Sequence, residues 1–393
     1  ITTTKGERIK VAFFAERIPG WGYKLFYAKP STITPNYASR SDFKIDNQFY
    51  LGEIDPKSGN IFRLYDKRAQ REIFSAPANV LQVLGEGPGG MSAWVIHLDG
   101  NKWELNDSAY VIRKDGPLFT SFYTLHHFSN SSFDREIRFY QDIPRVDIIF
   151  YANWQEHNRL LKVAFPTTLT STRAFFEIPY AVIERPSDGR KLPSGTFTPP
   201  PDGGHEVPAI TFANIDSTDG SYGVAILSDC KYGYDVKNGS IRLTLLRGSV
   251  DPDPQADIGY HKASYAIYPH QGNWQEAEVL KRGWEFNNPL IVFQTTNHKG
   301  GKLPPQWGFL KVEGEAIATA IKLAEDSNSL IIRLVEFNGR KARATLTFPS
   351  PISSAFETNL LEKRIKQLPF NGNQITVNLS PYEIKTLEIS LKK

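Results

Sequence analysis

The stretch Val224-Ala-Ile-Leu-Ser-Asp-Cys-Lys-Tyr-Gly-Tyr-Asp-Val-Lys-Asn-Gly-Ser-Ile-Arg-Leu-Thr-Leu-Leu246 carries strand spacing throughout. Val224 to Leu227 reads as a hydrophobic strand, and Ile241 to Leu246 alternates apolar with polar. Between them Lys231-Tyr-Gly-Tyr234 reads as an exit loop, and Lys237-Asn-Gly239 places Asn and Gly where a hairpin needs positive φ. The same spacing recurs at Val11 to Phe14, Ile61 to Tyr65, Phe119 to Leu125 and Val146 to Tyr151, with turns at Asp55-Pro-Lys-Ser-Gly59 and Asn371-Gly-Asn373. Helical periodicity is confined to Asn273–Phe286, where Trp274, Ala277, Leu280, Lys281 and Trp284 share a face before Asn287-Asn-Pro289. The chain is therefore expected to be all-β with one short helix.

Punctuation divides it. Pro186 to Pro208 is rich in Pro and Gly without periodicity and reads as a long surface loop. His298-Lys-Gly-Gly-Lys-Leu-Pro-Pro305 reads as a linker. Beyond it, Leu330 to Phe337, Ala342 to Phe348, Ala355 to Asn359, Ile375 to Leu379 and Ile384 to Leu391 form evenly spaced strands of a small β-sandwich. The expected order is a large β-sandwich over 31–297, a linker over 298–305 and a small β-sandwich over 306–393. Residues 1–30 are expected to supply N-terminal strands, with Val11 to Tyr27 returning to pair with the last domain.

With 393 residues, 40% of them hydrophobic and 22% charged, the chain can bury substantial cores. A net charge of +4 with interleaved signs excludes a nucleic-acid stripe, and no window approaches ~18 consecutive apolar residues, so no membrane partner is expected. Cys230 is the only cysteine and cannot form an internal disulfide, which argues for a cytoplasmic, reducing compartment. Met91 is the only methionine and the first residue is Ile1, so residues upstream are expected. The 25 Phe, 17 Tyr and 7 Trp suit half-buried strands and raise the prospect of sugar contacts.

Ordered motifs sharpen this. Trp154-Gln-Glu-His-Asn-Arg-Leu-Leu-Lys-Val-Ala-Phe-Pro166 is followed by Tyr222 to Val236, Leu243-Thr-Leu-Leu-Arg247, Pro252-Asp-Pro254, Ala256-Asp257, Gly259, His261 and Tyr265-Ala-Ile-Tyr-Pro-His270. Upstream stand Gly59-Asn-Ile, Asp66-Lys67, Arg71-Glu72, Asn79-Val-Leu-Gln82 and Ala93-Trp94; downstream, Glu357-Thr-Asn-Leu360 and Pro381-Tyr-Glu-Ile-Lys385. In this order they resemble the C-terminal part of the bacterial and cytosolic branch of the glycoside hydrolase family 38 α-mannosidases, over nearly the whole chain.

The resemblance implies a large supersandwich like that of galactose mutarotase, followed by a small sandwich. It implies retaining hydrolysis of terminal α-linked mannose, with mannose-containing oligosaccharide as substrate. The aspartate nucleophile, the acid/base carboxylate and the zinc would lie in an N-terminal catalytic domain, the implied partner. This chain alone would then be inactive and hold no catalytic or metal residue and no cofactor. Ala93-Trp-Val95, where relatives often read Ala-Trp-Asp, and the Pro-rich loop depart from the pattern. A free-standing carbohydrate-binding module and a purely structural domain are the alternatives, and homo-oligomer formation stays open.

Each polar cluster also has an ordinary structural role open to it. Asp251, Asp253 and Asp257 form the most tempting group: Pro252 and Pro254 should hold the stretch extended and set the first two carboxylates on one side. An EF-hand reading fails because Ala256 and Lys262 would occupy its glycine and glutamate positions. His97-Leu-Asp99 lacks further ligands beside it, and His126 and His127 point to opposite faces of a strand. His157, Arg159 and Lys162 read as a strand-end cluster facing a neighbouring domain, and Cys230 as a buried, inert thiol. Lys231-Tyr-Gly-Tyr234 could stack on a pyranose or pack as a turn. The loops Ser228 to Tyr234 and Arg247 to His261 are expected to emerge together. As a substrate-binding rim they would supply Asp229, Lys231, Tyr232, Arg247, Asp251, Asp253, Asp257 and His261. No Gly-x-Ser-x-Gly, phosphate-binding loop or Cys-x-x-Cys pair is present.

Overall fold

The structure, a computed structural model, describes residues 11–29, 42–107, 109–188, 206–296 and 300–392. It falls into two compact units: one gathers the described residues of 35–178 and 183–290, the other those of 1–34, 179–182 and 291–393. Apart from one helix, the described elements are strands.

The first unit is organised by a nine-stranded and a six-stranded sheet. The nine-stranded sheet runs Ala181–Pro186, Arg173–Ile178, Phe212–Asp216, Tyr222–Ser228, Gly259–Gln271, Val146–Trp154, Ser131–Tyr140, Phe119–Phe128 and Tyr110–Asp115. The six-stranded sheet runs Val207–Pro208, Gly233–Lys237, Ser240–Arg247, Arg159–Pro166, Val80–Glu86 and Leu98–Glu104. Tyr222–Ser228 is buried along its whole length because it lies between two partner strands and is covered on both faces. Ser240–Arg247 alternates instead, sending Ile241, Leu243 and Leu245 into the core cluster. Its hairpin with Gly233–Lys237 turns at Asn238 and Gly239, with φ of 50° and 79°, the left-handed geometry this dipeptide tolerates. A four-stranded sheet built on Tyr50–Ile54 and Ile61–Asp66 adds Tyr50, Ile54, Ile61 and Leu64 to the same core.

In the other unit a three-stranded and a five-stranded sheet bury Leu334, Ala344, Leu346, Leu387 and Ile389 between them. The strands Leu330–Glu336, Ala342–Thr347, Ile352–Thr358, Gln374–Leu379 and Ile384–Leu391 form where alternation placed them. Gly22–Lys24 pairs antiparallel with Gln306–Gly308.

Three expectations are corrected. Val11 to Phe14 is irregular; four residues of alternation without a partner strand do not make one. Asn371-Gly-Asn373 closes an isolated bridge between Asn371 and Gln374 rather than a hairpin between sheet neighbours. The helix begins only at Val279, because Glu278 sits at φ 51° and Asn273 caps a separate turn by accepting from Gln275 N and Glu276 N. Most of the Pro-rich loop, 189–205, lies outside the described residues, as do 298 and 299 of the linker.

A polar bolt crosses the large core. Arg135, only 1% exposed, leaves the nine-stranded sheet and donates to Thr124 Oγ1 at 3.2 Å, to Asn60 Oδ1 at 3.2 Å and to the Asn79 carbonyl. Asn79, at φ 60°, stands just before Val80–Glu86 of the six-stranded sheet, and its Oδ1 accepts from Tyr265 OH at 2.7 Å. His126 Nδ1 lies 3.4 Å from the same guanidinium, so that nitrogen must be the unprotonated one. Burial, reinforced by the Arg135 charge, pushes the His126 imidazole down to about 3, whereas His127 faces solvent.

A pKa depressed on folding contributes stability that is complete above the unfolded value of 6.5 and is lost as pH falls from there toward 3. Urea unfolding at pH 7 and pH 5 should therefore show His126→Leu losing about 2 kcal/mol less than the parent between the two pH values. Equal losses would place the acid sensitivity elsewhere.

Candidate functional site

Two strands of the six-stranded sheet end side by side in charge, with Arg159–Pro166 between them. Val80–Glu86 terminates in Glu86 and Ser240–Arg247 in Arg247. Their side chains form a two-pronged ion pair, Arg247 Nε to Glu86 Oε2 at 2.9 Å and Arg247 NH2 to Oε1 at 2.7 Å, with exposures of only 15% and 5%. The guanidinium also donates to the Val95 carbonyl. Next to it, Ser92 Oγ accepts from Val250 N at 3.0 Å and Asp251 N at 2.9 Å. Ala93 N donates to the Asp251 carbonyl at 2.9 Å, and the Asp251 carboxylate takes the Met91 amide. On its other side Gly248 packs against 156–159: a Cβ there would stand 1.9 Å from Glu156 O, and its backbone bonds Asn158 N and Arg159 O. The segment 87–97 is thus strapped to 248–251, and its tip holds Met91 and Trp94 in solvent, Trp94 63% exposed.

The rim set is therefore redistributed. Arg247 and Asp251 are spent on the strap. Residues 251–254 do not run extended as expected: the chain bends at Asp251 and Pro252 and turns over 254–257, because backbone and side-chain bonds to 91–93 draw it inward. Asp253 Oδ1 accepts from Gln255 N at 2.9 Å, ordering that turn. Asp257, at φ 59°, offers its carbonyl to His261 Nε2 at 2.7 Å. In the other loop Asp229 Oδ1 accepts from Ser264 N at 2.9 Å and Ser228 Oγ from Lys231 N at 3.0 Å. Tyr232 is 53% exposed, whereas Tyr234 is buried in the core. Among the described residues no hydrogen bond or ion pair joins the two loops. Strand order explains this, since Ser228 pairs level with Tyr265 while Gly259 begins six residues further out along the same strand.

Two other readings also change. Cys230 is exposed rather than buried, because the chain has left the sheet at Ser228. Partial desolvation and the neighbouring Asp229 carboxylate push its thiol up to about 11, which keeps it a poor nucleophile. Lys162 does not face outward: it is 2% exposed and ion-paired to both Asp235 and Glu206. Burial opposes charge on Asp235, but Lys162 and Arg242, whose Nε lies 2.8 Å away, outweigh it and hold that carboxyl below its usual range. His97 contacts the Gly90 carbonyl and Asp99 caps Asn101 N. Among the described residues no group of three or more His, Cys, Asp or Glu side chains is arranged to hold a metal ion.

What sequence reasoning missed is Glu86, Ser92 and the presentation of Trp94. The Ala93-Trp94 motif was the only signal.

The fold itself defines a class. An alpha-mannosidase from Enterococcus faecalis V583 superposes with a TM-score of 0.74 at 18% identity, covering 89% of this chain and 42% of that one. A family 38 glycosyl hydrolase structure from Enterococcus faecalis gives 0.75 over 93% of this chain. The architecture is that of the β-sandwich region of such enzymes. Residues 45–255 match the glycosyl hydrolases family 38 C-terminal domain and 315–387 the family's C-terminal beta sandwich domain, and the chain belongs to this family. Among curated relatives, Alpha-mannosidase G of Dictyostelium discoideum is 32% identical over 91% of this chain. Alpha-mannosidase 2C1 of Homo sapiens is 28% identical over 88%. The chain spans about a third of the length of each (33% and 34%).

Arg247→Ala should strand the Glu86 carboxylate in a nearly closed environment and cost about 3–5 kcal/mol in chemical denaturation. A loss under about 1 kcal/mol would show that the pair carries none of the strap.

Proposed function

We propose that this chain is the C-terminal, non-catalytic part of a retaining α-mannosidase that releases terminal α-linked mannose from oligosaccharides. The observation that carries the reading is the family match across 45–255 and 315–387 together with curated relatives that are α-mannosidases. Retention requires two carboxyls about 5–5.5 Å apart across the sugar, together with a group that holds the ring. The Asp251 and Asp253 carboxyls are already engaged, the first by the Met91 amide of the strapped segment and the second by the Gln255 amide of its own turn. Because the models matched are the family's C-terminal ones and the chain spans about a third of the length of its curated relatives, nucleophile, acid/base and zinc are assigned to an N-terminal domain outside this chain, in a protein we place in the cytoplasm.

The part played here is mechanical and local. The sandwiches brace the catalytic domain, and the strapped loop 87–97 presents Trp94 at the mouth of the sugar site. Lys231 and Tyr232 stand as the remaining rim groups. A rigid loop with an exposed indole suits this role, because the ordering cost is met before a partner arrives and aromatic anchors dominate contact energy.

The complete protein should hydrolyse 4-nitrophenyl α-mannoside, whereas the 393-residue chain alone should show neither turnover nor stoichiometric zinc after dialysis. In the complete protein Trp94→Ala should lower kcat/KM roughly 10-fold without changing zinc content. Full activity of that variant removes the loop from the mouth of the site, and turnover by the chain alone removes the whole proposal.

A further inference from the structure

The stretch Val11-Ala-Phe-Phe-Ala-Glu-Arg-Ile-Pro-Gly-Trp-Gly-Tyr-Lys-Leu-Phe-Tyr27 has only three charged side chains, Glu16, Arg17 and Lys24, yet no residue of it is buried. Val11, Phe13, Trp21, Leu25, Phe26 and Tyr27 keep between 41% and 71% of their surface free. The segment is nonetheless held in place. Gly22–Lys24 pairs with Gln306–Gly308, Leu25 N donates to the Pro305 carbonyl at 2.8 Å and Phe309 N to the Trp21 carbonyl at 3.0 Å. Tyr23 OH reaches the Pro304 carbonyl at 2.7 Å, and glycine is required at 22 because a Cβ there would stand 2.1 Å from Trp307 O. Lys24 turns its ammonium to the Glu16 carbonyl at 2.8 Å, over the Phe26 ring, which itself meets Phe13 with centroids 4.9 Å apart.

The same compact unit carries a second such run. Ile291, Val292 and Phe293 lie outside the strands and are 80–84% exposed, and Leu303, next to the Pro304 that Tyr23 holds, is 67% exposed. The core of the unit, between its three-stranded and five-stranded sheets, closes without any of them. Single exposed apolar residues are ordinary; a gathering of this size is not. At about 150–250 Å² for a whole aromatic side chain, Phe13, Trp21, Phe26, Tyr27 and Phe293 together leave on the order of 600 Å² open, as much as the largest patch of an ordinary monomer before the aliphatic residues are added. Fixing the backbone of 21–25 costs conformational entropy, and side chains left in water contribute nothing against that cost. A face so ordered and so apolar is suited to being covered.

Which body covers it follows from the family. Both matching models are C-terminal ones, and the chain spans about a third of the length of its curated relatives. In a protein of their size the greater part of the polypeptide joins ahead of residue 11, beside this face. Such a tether holds an upstream domain at an effective concentration of about millimolar, which a second copy in free solution does not reach. We propose that the apolar face made by 11–27, 291–293 and Leu303 docks the upstream domain of the same polypeptide, against an apolar surface of that domain. The proposal rests on the reading of this chain as the C-terminal part of a larger α-mannosidase, and adds where the two parts join.

Hydroxyl-radical footprinting read by mass spectrometry, on the 393-residue chain and on the complete protein, tests this. Labelling of Trp21, Phe26, Tyr27 and Phe293 should be fast in the chain alone and roughly tenfold slower in the complete protein, as for side chains moved into the core of an interface. Phe293→Asp should leave the melting temperature of the chain alone unchanged and lower that of the complete protein by at least about 2 °C. Equal labelling in the two proteins, or a complete protein indifferent to Phe293→Asp, would overturn the proposal. Slow labelling already in the chain alone would do so too: if it persists on dilution another segment of this chain is the cover, and if it vanishes a second copy is. Turnover of 4-nitrophenyl α-mannoside by the complete protein separates the proposal from the reading beneath it. Turnover with unchanged labelling sinks the docking face alone, and protection without turnover sinks the mannosidase reading alone.

Discussion

A guanidinium with no carboxylate partner holds the large unit together. Arg135 is buried among neutral acceptors, and the three oxygens it donates to belong to different pieces of the fold: Thr124 to a neighbouring strand, Asn60 to a hairpin, Asn79 to the entrance of the six-stranded sheet. Apolar contacts alone are non-directional and would let two sheets slide over one another. A fork of donors that must find oxygens fixes their register, because any displacement strands a buried charge. His126 and Tyr265 complete the set and inherit its constraint.

That register reaches the candidate site through the strand Val80–Glu86. Asn79 anchors one end, and Glu86 emerges at the other against Arg247. The strap over 87–97 is thus a continuation of the core. Its position depends on the same sheet alignment, which is how an exposed Trp94 can be held by residues that themselves face inward. Lys162, Asp235 and Glu206 play the corresponding part further along the sheet, closing a polar face that would otherwise be wet.

Much of this was legible, and the limits are physical. Strand alternation reports which face a side chain takes, so Ile241 to Leu246, the opposed His126 and His127, and the C-terminal strands could be read directly. Asn238-Gly239 was legible because few dipeptides accept two positive φ angles. Glu278, also at positive φ, carries no such mark, and the helix start was misplaced. At the site, Arg247 and Asp251 stood out as charged residues in a loop, but what a charge does depends on its partner. Glu86 is 161 positions away from Arg247, and Met91 160 from Asp251. A set of donors and acceptors that suits sugar hydroxyls suits backbone amides equally well. Cys230 fails for a related reason: sequence places it beside an apolar strand but cannot say that the chain has already left the sheet.

The central claim is that the core positions a rigid loop so that Trp94 meets the rest of a larger enzyme. Amide hydrogen exchange over residues 87–97 and 248–252, compared between this chain alone and the complete protein, tests it most directly. The account predicts that the Ala93, Val250 and Asp251 amides are already protected in the isolated chain, and that exchange across 91–95 slows further in the complete protein. Unprotected amides in the isolated chain, or identical exchange across 91–95 in both proteins, would contradict it.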